Sequence, residues 1–243
     1  MPIAFRSIAG NTRTGAETGT TSLVVTKPAG TANGDVMVAV VVFANGTLSL
    51  PISPPVGWTS LGYQDGIDHV GRTQVFYKTA SGEGASYSFS FDGGGQYAIA
   101  ALIASYSGAA ASPIDAVGSQ RNAISTNETA PSVVPGATGA MLVCCYGAEG
   151  VGASGPTSTP PAGMTERGDV SAVSAPVNEY GGYLDIHASL NDLLLGSTSP
   201  TGAKTATLSA ARENSGFSVL LRSAEAPPPP PPPASVAGLH MVI

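Results

Sequence analysis

Charge is scarce in this chain. Lys, Arg, Asp and Glu together make up 11% of its 243 residues, against roughly 25% in ordinary soluble domains. Only ten residues are Lys or Arg, and the net charge is −6. So few basic side chains cannot lay out the phosphate-neutralising stripe that nucleic acid requires, so nucleic acid is not an expected partner. Cysteine is limited to the adjacent pair Cys144 and Cys145. Neighbours in a strand face opposite ways, and a bridge between them is strained. That excludes a disulfide framework and leaves two free thiols. Long apolar runs are missing as well. The longest, Val36 to Ala44, is far too short to cross a bilayer as a helix, and no membrane insertion is expected. The first residues, MPIAFRSIAGNTRTG, lack a basic region followed by a long apolar core, so no signal peptide is expected.

What is plentiful points to β structure. The chain has 31 Gly and 20 Pro, and 42% of it is apolar, too much for a disordered chain. Strand-like segments recur between Gly-rich turns: Ile3–Ala9, Thr21–Lys27, Asp35–Phe43, Trp58–Gln64, Thr73–Thr79, Ser86–Phe91 and Tyr97–Tyr106. SYSFSF alternates with period two, which puts Tyr87, Phe89 and Phe91 on one face. Val36–Ala44 reads as a strand buried on both faces. Asp92-Gly93-Gly94-Gly95-Gln96 joins two strands, so it reads as a turn and not as a phosphate loop.

The series then begins again. PPVGWTSLG at Pro54–Gly62 returns as PPAGMTERG at Pro160–Gly168. Pro2-Ile3 has a counterpart in Pro113-Ile114, and Gly34–Val38 in Gly139–Val143. Thr73–Ala80 matches Gly182–Ala188, SYSFSF matches Lys204–Ser209, and the closing strand matches Gly216–Leu221. Matches in one order at nearly constant offset imply an internal duplication of 2–108 and 113–223. A solenoid needs shorter units and more of them. The fold class expected is all-β: an antiparallel, jelly-roll-like β-sandwich over 1–224. Its halves either interlock into one large sandwich, which the short GAAASP link favours, or stand as two tandem ones. HASLNDLLL, in an insertion of the second half, reads as a helical turn. A position that accepts Trp58 in one copy and Met164 in the other reads as core.

After the duplication comes a polyproline linker, 225–233, and an apolar peptide, 234–243. Seven prolines in polyproline II make a stiff rod of roughly 20 Å. An apolar end on such a rod reads as a docking peptide. Val236, Leu239, Met241, Val242 and Ile243 are its expected anchors, by strand addition to a neighbouring subunit.

Catalytic signals are weak. His187 and Asp185 share a strand face at i and i+2, but nothing adds a nucleophile or third ligand, so they read as a surface or interface pair. No GxSxG occurs, and neither cysteine has a placed histidine. His69 sits among Asp65 and Asp68 in a loop with too few spaced oxygens for calcium. No catalytic residue, metal or cofactor is expected. A receptor-facing role would draw on two loops, with Tyr63, Asp65, Asp68 and His69 in one and Tyr180 and Tyr183 in the other.

The run GDVMVAVVV, ISPPVGWTSLG, TQVFYKTASGEGASYSFSF, AALIASYSG, SPIDAVGS, APSVV, GAMLV and TPPAGMTERGDVS resembles a recurrent module of tailed-phage structural proteins. Such modules occur in minor tail and tail-fibre-like proteins of phages that infect Gram-positive, often actinobacterial, hosts. The resemblance covers 2–223 and brings no catalytic residues. It implies a β-sandwich and a non-enzymatic role in the virion, in the tail rather than the capsid. Other virion proteins and further copies of the chain are its implied partners. Two alternatives stay open: a module that binds a host receptor or cell-surface glycan, and a capsid decoration protein.

Overall fold

The computed structural model describes residues 2–14, 21–44, 51–66, 71–91, 98–177 and 182–224. Among them every regular element is a β-strand. The first half of the chain forms β1 (Ala4–Thr14), β2 (Ser22–Thr26), β3 (Val36–Ala44), β4 (Ile52–Ser53), β5 (Thr59–Asp65), β6 (Gly71–Thr79), β7 (Ser86–Phe91) and β8 (Ala98–Ser107). The second forms β9 (Ala109–Ala130), β10 (Met141–Val151), β11 (Ser158–Thr159), β12 (Thr165–Val177), β13 (Gly182–Leu194) and β14 (Lys204–Ser223).

All pairings are antiparallel. A large sheet runs β1-β8-β3-β6-β5, and a small one runs β2-β7-β4. The second half runs β11-β14-β10-β13-β12, with β9 along β14. Here β9 and β14 each serve twice. Lys204–Thr207 of β14 pairs with Asn127–Ala130, and register shifts then bend the strand before Asn214–Leu221 runs beside Ile114–Asn122. The early part of β14 also takes β11 at Leu208 and Thr207.

The sheets stack in layers, a sandwich-like arrangement. Alternation along β3 decides which residue enters which core. Val38, Val40 and Val42 face the second half, where they meet Val143, Ile186 and Val219 in a central core between the two large sheets. Met37, Ala39, Val41 and Phe43 face the small sheet. That outer core is aromatic: Trp58 lies edge-on to Tyr87 at 5.1 Å, and Phe43 to Phe91 at 5.4 Å. The outer core of the second half holds Leu142, Cys144, Tyr146, Met164, Ala206 and Leu220, with a single aromatic ring. Both cysteines are free and fully buried, as expected of small apolar side chains. No ladder in the described pairings joins the halves. They are held by face-to-face packing of the large sheets, which share a core.

The repeated proline motif is a piece of backbone engineering. Trp58 N–H donates to Pro55 O, and Met164 N–H donates to Pro161 O. Gly57 and Gly163 occupy the third position of these turns with φ of 86° and 79°, a conformation that favours glycine. The strand that follows carries a bulge in both places, between Ser60 and Gly62 and between Glu166 and Gly168. Trp58 and Met164 then turn inward and are buried. The motif is a corner followed by a bulge, which explains its conserved spacing of proline and glycine within the chain without any ligand.

One expectation is overturned. HASLNDLLL is not a helical turn but the body of β13, paired on one side with β10 and on the other with β12. Two ladders outweigh the weak local preference for helix. Strand directions also give the molecule two distinct ends. The proline corners, the link at Gly108 and the exit at Ala224, whose N–H donates to Gly108 O, lie at one end. The end of β5 and start of β6, the end of β12 and start of β13, and the far ends of β3 and β10 lie at the other.

Candidate functional site

The loop end gathers polar side chains from both halves. Tyr63 is 51% exposed and Tyr183 39% exposed. The Arg72 guanidinium stacks 3.9 Å from the centre of the Tyr63 ring and donates to both Asp65 carboxylate oxygens, at 2.6 and 3.2 Å. Asp65 is thus committed to Arg72 on the neighbouring strand. Tyr183 stands at the start of β13, in the other half. Asp68, His69 and Tyr180 lie outside the described residues, as do Val236, Leu239, Met241, Val242 and Ile243 of the docking peptide.

Beneath Asp65 lies a narrow cleft lined by Gln64, Gly66, Arg121, Glu149, Glu213 and Ser215. Glu149 and Glu213 are direct cross-strand partners of β10 and β14, and both are buried, at 7% and 8% exposure. Like charges in directly opposed positions repel. Burial, then the charges of Glu213 and Asp65, hold the Glu149 carboxyl well above the usual carboxylate range. Glu149 Oε2 and Ser215 Oγ have no hydrogen-bond partner. Sequence reasoning missed Glu149, Glu213 and Ser215. The available signal was an acid at the end of the apolar run 141–148 and another at the start of the closing strand.

A second polar cluster fills the outer core of the second half. The expected surface pair of His187 and Asp185 is corrected here: both are fully buried and neither bonds the other. Side chains at i and i+2 share a face, but closer partners sit on adjoining strands. His187 Nδ1 meets Asp169 Oδ1 at 3.1 Å, and Nε2 lies 3.8 Å from Glu128 Oε2. Asp185 instead accepts two bonds from Arg212, at 2.7 and 2.6 Å. Ser158 ties in β11, its N–H donating to Asp169 at 2.7 Å and its hydroxyl to Glu128 at 3.2 Å. Burial alone would lower the His187 imidazole. The hydrogen bond to Asp169, with the charges of Glu128 and Asp169, outweighs it and raises the group.

Burial pushes the Glu128 carboxyl up to about 7, against the opposing pull of His187. A carboxyl raised on folding stabilises the fold fully below its unfolded value, and that contribution is lost as pH rises through the folded one. The window here runs from 4.5 to about 7, worth about 3 kcal/mol at 1.36 kcal/mol per unit. Glu128→Gln should therefore gain about that much relative to the parent between pH 4.5 and pH 8. Urea unfolding at the two pH values measures the difference, and a difference independent of pH would contradict the assignment.

Among the described residues no three His, Cys, Asp or Glu side chains are arranged to hold a metal ion. No helix among them is long and apolar enough to cross a membrane. No family model matches the chain, and no curated protein or solved structure matches it.

Proposed function

We propose that this chain is a non-enzymatic structural protein of a bacteriophage virion, of the minor tail kind. It attaches to its neighbours through the segment beyond Ala224 and turns its loop end outward. The observation that carries this reading is the polarity of the molecule. The chain leaves the β layers at the corner end, beside Gly108. Tyr63 and Tyr183 are exposed at the opposite end. Seven prolines follow Glu225 and Ala226 in the sequence, a composition that favours a stiff rod, and the expected docking peptide comes after them. A surface so poor in charge suits contacts with neighbouring subunits, whose buried centres are depleted of charge.

The same reading includes an internal duplication. Strand order supports it: β3 lies between β8 and β6, and β10 between β14 and β13. The bulged corners support it too. Aligned by ladder position, which shifts the sequence matches above by one to several residues, the cores have diverged. Leu23, opposite Phe89, matches Glu128, opposite Ala206. Phe76, opposite Ala39, matches Asn191, opposite Cys144. The first half keeps an aromatic core, and the second exchanges it for the buried His187 cluster.

A second reading, a module for a host receptor or cell-surface glycan, is favoured by the exposed rings at the loop end, since aromatic faces stack on sugars and rim polar contacts well. The experiment for the first reading is truncation after Ala224, where no described ladder is lost. The truncated protein should melt like the full chain, yet be missing from assembled virions. Normal incorporation would sink the attachment role. Binding of the truncated protein to host cells would support the second reading.

A further inference from the structure

The two outer layers are held down by different means. In the first half β7 presses Tyr87, Phe89 and Phe91 onto the large sheet, with Leu23 and Val25 of β2 beside them. In the second half the end of β9, the start of β14 and β11 form the outer layer. The apolar side chains these strands bury are smaller: Ala130, Ala206 and Leu208. Where the first layer buries rings, this one also buries an acid. Glu128 is fully buried, and its Oε2 lies 3.8 Å from His187 Nε2 on the large sheet. Asp169 of β12 meets the other ring nitrogen at 3.1 Å. Glu128 Oε1 and His187 Nε2 have no hydrogen-bond partner, so the contact between layers is one of charge. Other groups facing it are settled elsewhere. β11 gives its Ser158 hydroxyl to Glu128. β10 presents Tyr146 and Cys144, and burial raises both above their ordinary values. Asp185 of β13 is tied to Arg212 of β14. Lys204, opposite Ala130, is partly buried at the end of its ladder, and Glu166 of β12 is exposed.

We propose that the Glu128–His187 contact is a proton-controlled latch: protonated, it holds the outer layer of the second half against the large sheet, and deprotonated, it lets that layer open locally. The charge count gives the reason. With Asp169 ionised, His187 protonated and Glu128 neutral, the buried cluster carries no net charge. Removing the Glu128 proton leaves two carboxylates around one imidazolium, and an uncompensated buried charge is costly unless water reaches it. Water can reach it most easily by lifting the layer that carries Glu128, because small side chains give that layer little apolar hold. Burial pushes Glu128 up to about 7 from 4.5, and Asp169 and Glu128 raise His187 against the effect of burial. Both groups therefore hold protons more tightly when the layer is closed. The Glu128 share of the grip is complete below pH 4.5 and is lost as pH rises to about 7. The His187 share is lost above its ordinary value, in the same direction. Opening bares Leu142, Tyr146 and Met164, so the loosened state is the one that presents apolar surface.

The test is hydrogen exchange of the full chain between pH 5 and pH 8, read segment by segment with intrinsic amide chemistry divided out. In 127–130, 158–159 and 204–208 the ratio of open to closed should rise roughly fiftyfold across that range. In β2 and β7, which cover the aromatic core, it should stay within about threefold. Glu128→Gln, which keeps the shape and removes the proton, should cut the rise in the three segments to about fivefold or less. His187→Gln takes away the positive charge that favours ionised Glu128, and should move the opening upward by about one pH unit. Protection in the three segments that ignores pH would overturn the proposal. So would an equal loss in β2 and β7, or a rise that survives Glu128→Gln in full.

Discussion

Arg212→Met should lower the stability of this protein by about 3–5 kcal/mol at neutral pH, the cost of leaving one partner of a buried ion pair alone. Asp185 is fully buried and takes both of its described side-chain bonds from Arg212. Met fills much of the guanidinium's volume but cannot neutralise the carboxylate. The second outer core must then open to water around Asp185. Adding Asp185→Leu to the same chain should recover most of it, because an apolar pair of similar volume often replaces a buried ion pair at little cost. Urea midpoints of the two variants and the parent give the answer. A loss below 1 kcal/mol for Arg212→Met would mean that the pair is solvated in solution.

The second large effect lies in the other outer core. Phe89→Ala should cost about 3–5 kcal/mol and lower Tm by roughly 10 °C. Phe89 is fully buried opposite Leu23. Its ring lies 5.8 Å from Trp58 and 5.7 Å from Phe76. Neighbouring β-strands cannot close on the space that its removal leaves. The effect should also be local. Hydrogen exchange should quicken in β2 and β7, which cover this core, before it quickens in β10 and β13. Uniform loss of protection across both halves would mean that the layers do not open separately.

The two sites were unequally legible in the sequence. The exposed Tyr63 and Tyr183 could be found because aromatic residues next to polar turn segments stand out, although both stand on strands, near the end of β5 and the start of β13, and not in the loops expected. The cleft beside them could not. Glu149 and Glu213 are neighbours only through the β10–β14 register, and a register slip of one residue would send either to the opposite face. His187 was noticed and given the wrong partner. Spacing along one strand offered Asp185, whereas pairing with β12 and layering against β9 supplied Asp169 and Glu128. Such partners depend on which strand lies alongside, and local spacing does not carry that.

By itself the sequence determined that this is an all-β chain. Alternation at SYSFSF, the doubly buried run at Val36, and glycine and proline at the turns all act locally, through backbone sterics and the two faces of a strand. It also determined the two proline corners, since a turn with positive φ at Gly57 and Gly163 needs only the residues within it. Tertiary structure alone decided that HASLNDLLL is a strand, because two flanking ladders override a short segment's preference. It alone decided that the large sheets meet face to face, and that their meeting draws Glu149, Glu213 and Ser215 into one cleft with Gln64 and Arg121. Those outcomes rest on pairing and packing between segments far apart in the chain, where the energy depends on the partner as much as on the residue.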